Sequence, residues 1–288
     1  MNSISQILKL IRVQQWTKNL LVFAPGFFAG ELSRQSFWVL LAGFSAMCLF
    51  SSCVYVLNDY LDRETDREDE NKKHCPLAKG LVSVRIAMGV FFVFLIVGSG
   101  LLLLVPLAFV YIIIVYLGIN ILYSFWLKHL AIVDVVIISI GFLLRMFGGG
   151  ILVNVELSKW LMLLTFFMAL LIAFAKRRNE LLHVHPEKNR PALKGYSLPF
   201  TDFTISTLSG ACLIFYVMYT IDTEVTERLN SSYVYLTVIW VVLGFLRYLQ
   251  QVFVHNNAGA PAELLLQDHW LTGIILLWLG SFYYFLYV

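Results

Sequence analysis

Nine apolar runs separated by short polar segments organise this chain. Residues 20–30 are apolar but broken by Pro25-Gly26, which predicts a bent or partial first span. Residues 37–57 form a clean second run, and 86–105 and 106–127 follow with only Pro106 marking the turn. Residues 130–153 are long enough to cross a bilayer yet contain Asp134 and Arg145. Residues 160–175 lie between Lys159 and Lys176, whose stems reach the interface and complete a short span. Residues 203–221, 229–246 and 270–288 finish the set. Each run is predicted helical, because lipid offers no partner to an unpaired backbone group. Residues 1–19 predict an interfacial helix ending in Trp16-Thr17-Lys18-Asn19, a tryptophan and a lysine suited to the headgroup level.

Composition agrees. Of 288 residues, 59% are apolar and 14% charged, with a mean hydropathy of +0.78. Soluble domains carry about 25% charged residues. A net charge of +3 is too small to point to nucleic acid. The distribution of charge says more. With the N-terminus in the cytoplasm, seventeen Lys and Arg residues fall on the cytoplasmic side and only Arg34, Lys159 and Arg228 on the other. The positive-inside rule therefore places the N-terminus in and the C-terminus out, in a cell membrane. Cys48, Cys53, Cys75 and Cys212 show neither a disulfide framework nor metal-ligand spacing. The first sixteen residues do not have the form of a cleavable signal. The expected architecture is an all-α polytopic membrane protein, one domain over 1–288, with nine transmembrane helices around a central cavity.

The chemistry concentrates in two polar loops, 58–85 and 176–202, which this topology puts on the same side. In the first, Asp59, Asp62 and Asp66 stand at i, i+3 and i+7, within roughly 60° on a helix. Three carboxylates on one face repel unless a cation lies among them, and a hard divalent ion such as Mg²⁺ suits oxygen ligands and phosphate. Lys72, Lys73 and Lys79 follow and would hold outer phosphate oxygens. The plainer alternative is a solvated charged loop, against which stand the spacing, Asn58, and the position at the end of an apolar run. The second loop opens with Lys176, Arg177 and Glu180, and Lys176 and Glu180 share a helical face. A cationic lip of this kind suits an anionic substrate, although simple anchoring at the membrane face would also explain it. His183 and His185 read as ordinary loop histidines. Asp134 and Arg145 are eleven residues apart, roughly 16 Å along a helix, so each requires a different partner. Arg145 is a candidate phosphate or cavity residue. Gly148-Gly149-Gly150 reads as close packing or bending.

The run Asn58-Asp59-x-x-Asp62-x-x-x-Asp66 resembles the first motif of the UbiA superfamily of intramembrane prenyltransferases. Several segments resemble its decaprenyl-phosphate phosphoribosyltransferase branch. They are Gln15-Trp16-Thr17-Lys18-Asn19, Tyr123-Ser124-x-x-Leu127-Lys128-His129, Leu144-Arg145-x-x-x-Gly149-Gly150 and Ser158-Lys159-Trp160. So also do Lys176-Arg177-x-x-Glu180-Leu181, Arg190-x-x-Leu193-x-x-Tyr196, Leu246-Arg247-Tyr248 and Gly259-x-Pro261-x-Glu263. The Lys-Arg-x-x-Glu segment is the more specific feature, because aromatic prenyltransferases usually carry a second aspartate-rich motif there. The resemblance implies a UbiA-like fold and Mg²⁺-dependent transfer of 5-phosphoribose from phosphoribosyl diphosphate to a polyprenyl phosphate, supplying a cell-envelope glycan precursor. It implies Asp59, Asp62 and Asp66 as metal ligands, with Asn58 and Lys18 orienting ion and donor. It further implies Arg67, Lys72, Lys73, Ser124, Lys128, Arg145, Lys176, Arg177, Glu180 and Tyr196 as substrate contacts. Cys75-Pro76 stands where the family often has Arg before Pro, and Asp69-Glu70 add negative charge to the same loop. Two other readings compete. An aromatic prenyltransferase would keep the metal helix but prefer carboxylates at 176–180. A lipid-binding or transport protein would show inverted repeats or a midplane site instead of charges gathered at one face.

Overall fold

The computed structural model describes residues 3–68, 75–183, 191–229, 231–256 and 268–287. Among these, the chain is 84% helical and contains no strand. Among the described residues, seven helices are long and apolar enough to cross a membrane. A further apolar helix, His269–Tyr287, closes the chain, in the place of the ninth expected run. This is a multi-pass membrane protein.

The elements are α1 (Ser3–Leu10), a 3₁₀ helix (Val13–Phe23), α2 (Ala24–Phe28), α3 (Arg34–Leu61), α4 (Arg63–Glu68), α5 (Val84–Leu101) and α6 (Leu107–Phe125). Then come α7 (Val133–Val153), α8 (Lys159–His183), α9 (Leu198–Thr220), α10 (Thr223–Arg228), α11 (Val238–Phe253) and α12 (His269–Tyr287). Serines start three of the long helices: Ser33, Ser83 and Ser197 each accept a backbone N–H three residues on, satisfying a donor the helix leaves open. The expected first span is a 3₁₀ run followed by the five-residue α2, so no single long helix covers 20–30.

The chain divides into two compact units. The first holds residues 1–26, 32–127 and 144–155. Its centre is α3, which packs on α5, α6 and the 3₁₀ helix. Leu40, Met47, Phe50 and Val54 meet Phe109, Ile113 and Leu152 there. Most outward positions of α5 and α6 are apolar and exposed, Ile96 and Leu107 among them, as suits lipid-facing surface. The glycine run of α7 serves contact. A β-carbon on Gly149 would strike the carbonyl of Val22, and one on Gly148 would press on the Phe109 ring.

The second unit holds residues 27–31, 128–143 and 156–288. Here α8 packs along α9, and α11 along α12. Leu171, Phe174, Ile205, Cys212, Phe245 and Val252 form the core. Helix α8 runs eight residues past the apolar stretch that predicted it, to His183. Lys176-Arg177-Arg178 and Glu180-Leu181-Leu182 are good helix formers, and cations suit the last turns of a helix. The start of the expected loop is therefore helical. Helix α11 starts later than expected, because Asp222 caps the separate α10 and only a 3₁₀ turn at Val234–Thr237 precedes α11.

Candidate active site

The acidic motif lies where α3 ends. Asn58 and Asp59 occupy its last turn, and Asp62 closes it, its N–H bonding the Asn58 carbonyl at 2.9 Å. The chain then re-enters a helix at once, with Asp66 N–H on the Asp62 carbonyl at 2.8 Å. Asp59 and Asp66 are buried, Asp62 is half-buried, and the charges of Asp62 and Asp66 act on Asp59. A carboxylate near a helix C-terminus meets the negative end of the helix dipole, an unfavourable placement. Among the described residues no three His, Cys, Asp or Glu side chains are gathered as a metal site. Asp59 instead meets Arg12, whose Nη2 lies 2.5 Å from Oδ1. The same guanidinium lies over the Tyr55 ring, 4.9 Å from its centre.

The N-terminal segment is fastened to this face of α3. Ser52 Oγ donates to the Ile11 carbonyl at 2.9 Å and accepts from Trp16 Nε1 at 3.0 Å. Arg67 donates to the Ala78 carbonyl at 3.0 Å, tying α4 to the segment after it. Lys18 is half-buried and Lys79 exposed. Lys72 and Lys73 lie outside the described residues, as do His185, Arg190, Gly259, Pro261 and Glu263.

A second polar group in this unit surrounds Arg145, which is buried in α7. Its Nε donates to Asn19 Oδ1 at 2.7 Å and its Nη2 to the Tyr116 hydroxyl at 3.0 Å. Asn19 in turn reaches Ser51 Oγ and Cys48 Sγ, each at 3.2 Å. Ser124 is buried near the end of α6, and Lys128, which begins a segment of the other unit, is half-buried.

In the other unit, α8 carries Lys176, Arg177 and Glu180 on its last turns. Lys176 is exposed, while Arg177 turns inward. Its Nε bonds Asp134 Oδ2 at 2.8 Å and its Nη1 bonds Glu180 Oε2 at 2.6 Å. Tyr196 donates to the other Asp134 oxygen at 2.6 Å and accepts from the Ile132 N–H at 2.7 Å. Burial and the bond to Asp134 push the Tyr196 phenol above its ordinary range, so it stays a donor at any physiological pH. Arg177 and Tyr196, expected as substrate contacts, both bind the buried Asp134. Arg178 is also turned inward, bonding Asp202 at 2.6 Å and the Val252 carbonyl at 2.8 Å. Of the three consecutive cations, Lys176 is the exposed one.

Sequence reasoning gave no individual role to Arg12, Asn19 or Tyr116. Arg12 counted only as one positive charge among many, and Tyr116 is one aromatic residue in an apolar helix. A buried arginine at 145 was the available signal that a polar partner had to exist in another segment.

The model of the UbiA prenyltransferase family matches residues 19–183. A decaprenyl-phosphate phosphoribosyltransferase of Mycobacterium tuberculosis is 30% identical over 290 residues, covering 97% of this chain and 94% of that protein. The enzyme of the same name from Corynebacterium glutamicum is 29% identical over 94% of this chain and 84% of its own length. Among solved structures, a UbiA homolog from Archaeoglobus fulgidus bound to GPP and Mg²⁺ superposes with a TM-score of 0.71 at 18% identity. It covers 98% of this chain and 100% of that one.

Proposed function

Since this chain belongs to the UbiA prenyltransferase family, we propose that it transfers 5-phosphoribose from phosphoribosyl diphosphate to a polyprenyl phosphate, releasing diphosphate. The observation that carries this reading is the near end-to-end likeness to decaprenyl-phosphate phosphoribosyltransferases. The basic end of α8, with Lys176 exposed where aromatic prenyltransferases favour carboxylates, supports it.

Asp59, Asp62 and Asp66 are assigned as ligands of Mg²⁺, with Asn58 beside them. The donor set fits: all are hard oxygen ligands, two of the carboxylates are buried, and Asp59 already draws a cation onto itself. Bound there, Mg²⁺ would offset the charge that develops on the departing diphosphate. Lys18, Lys72, Lys73, Lys128 and Lys176 are assigned to phosphate oxygens and Arg67 and Ser124 to the surroundings of the donor. Arg145 is assigned as a phosphate or cavity residue, held in place by Asn19 and Tyr116. Arg177, Glu180 and Tyr196 are assigned as substrate contacts at the end of α8, Arg177 and Tyr196 oriented by Asp134 and Glu180 by its bond to Arg177. An acceptor phosphate oxygen forms the new bond to ribose C1 as the C1–O bond to diphosphate breaks. That oxygen is already anionic near neutral pH, so the step needs no general base. By the positive-inside count, this chemistry belongs to the cytoplasmic face of the cell membrane, and its product would supply cell-envelope glycan synthesis.

The test is transfer of label from phosphoribosyl diphosphate into organic-extractable product, in membranes holding this protein. The expected label depends on added polyprenyl phosphate and disappears in EDTA. Absence of transfer, with prenylation of a hydroxybenzoate or naphthoate from a prenyl diphosphate, would move the protein to the aromatic branch.

A further inference from the structure

We propose that Arg12 is a built-in counter-ion of Asp59, a guanidinium that the divalent ion must displace to enter the site. The inference rests on the metal reading above and deepens it. Asp59 is 3% exposed, at the unfavourable end of a helix and in the field of two more carboxylates. A buried carboxylate in that setting needs a cation, and Arg12 supplies one at 2.5 Å.

The pair is asymmetric. Asp59 has no water to turn to, whereas the Arg12 side chain is 36% exposed. Arg12 is therefore the partner that can leave. Its backbone is not free to follow. It sits at φ 51°, ψ 52°, the left-handed conformation, between α1 and the 3₁₀ helix. On either side, the Ile11 carbonyl and the Trp16 indole are bonded to Ser52. Exchange then needs only side-chain rotation, with the Tyr55 ring beneath to keep the guanidinium at the rim. A divalent ion brings two positive charges to Asp59 where Arg12 brings one, which gives the ion its advantage.

The experiment is Mn²⁺ binding followed by electron paramagnetic resonance on the purified full-length chain, without donor or acceptor. Arg12→Gln keeps a hydrogen-bond donor near Asp59 but removes the competing charge. For a pair whose arginine alone is exposed, its Mn²⁺ Kd is expected to fall about fivefold. Arg12→Lys, which keeps the charge, is expected to stay near wild type. In EDTA, Arg12→Gln should melt below wild type, and saturating Mn²⁺ should close the gap. Equal or weaker Mn²⁺ affinity in Arg12→Gln, or a melting gap that Mn²⁺ leaves open, overturns the counter-ion role alone. Wild-type Mn²⁺ affinity in Asp59→Asn overturns the metal assignment as well, and the two failures are thereby told apart.

Discussion

Replacing Arg177 by Met should destabilise the protein more than any substitution at the exposed Lys176 beside it. The arginine and Asp134 are almost wholly excluded from solvent, at 3% and 0% exposure, and their bond is 2.8 Å. Methionine fills much of the arginine stem's volume, so the cost is chiefly electrostatic: Asp134 loses its guanidinium and keeps its charge, with the neutral Tyr196 still facing it. Removing one member of a buried pair costs about 3–5 kcal/mol. At about 2–4 °C per kcal/mol, the melting temperature should fall by roughly 6–20 °C. The bond to Glu180, which is partly solvated, adds little. The assay is thermal unfolding of the purified protein in detergent, followed by intrinsic fluorescence. Adding Asp134→Asn to Arg177→Met removes the stranded charge while an amide oxygen still accepts from Tyr196, so most of the loss should return. A melting temperature for Arg177→Met within about 2 °C of wild type would fall well short of the smallest shift that stranding a buried charge should cause. That result, or a loss deepened by Asp134→Asn, would mean that the network does not hold α8 as described.

Three further outcomes are expected. Asp59→Asn should lower phosphoribosyl transfer by about 10²-fold or more, the scale for removing one group that stabilises developing charge, with the melting curve measured alongside to show a folded protein. Gly149→Ala should cost about 1–3 kcal/mol in thermal stability, because its methyl group meets the Val22 carbonyl and the backbone must shift. Asp268 starts α12, accepting from Trp270 N–H, Leu271 N–H, Arg247 and Gln251. Burial opposes its charged form, but these bonds outweigh it and hold the carboxyl below its usual range. A folded-state pKa below the unfolded one adds stability above the unfolded value of about 3.9, and that stability drains as pH falls through the folded value. Wild type should therefore lose more of its melting temperature than Asp268→Asn between about pH 5 and pH 3. Equal losses would refute the assignment.

The long helices were legible because lipid demands uninterrupted apolar stretches, and α3, α5, α6 and α7 start or stop within a few residues of them. Legibility failed where apolarity stopped being the deciding force. Helix α8 continues on charged residues because Arg177 finds the buried Asp134 and Arg178 the partly exposed Asp202, pairings that no periodicity announces. The 3₁₀ segment of residues 13–23 is likewise tied to α3 by tertiary bonds of Trp16 and Asn19, which no local pattern announces. At the acidic motif, spacing predicts one continuous helical face for Asp59, Asp62 and Asp66, but only Asp59 lies within α3, Asp62 caps it and Asp66 belongs to α4. The structure breaks that helix at Asp62. The partner of Asp59 came from 47 residues upstream, a separation no local pattern spans.

The hydrogen bond between Asn19 and Arg145 also sets a timetable for biogenesis. The eleven-residue 3₁₀ helix is about 22 Å long, short of a bilayer's hydrocarbon core of about 30 Å, so it is a poor candidate to insert unaided. Some of its partners, at Ser51 and Ser52, are made soon afterwards, but Arg145 is made 126 residues later. At about 5–20 residues per second, the ribosome takes roughly 6–25 s to cover that interval. Throughout it, the amino-terminal segment must be kept at the membrane surface by the amphipathic α1 and by Trp16, and nascent chains stalled before residue 145 should leave it open to protease.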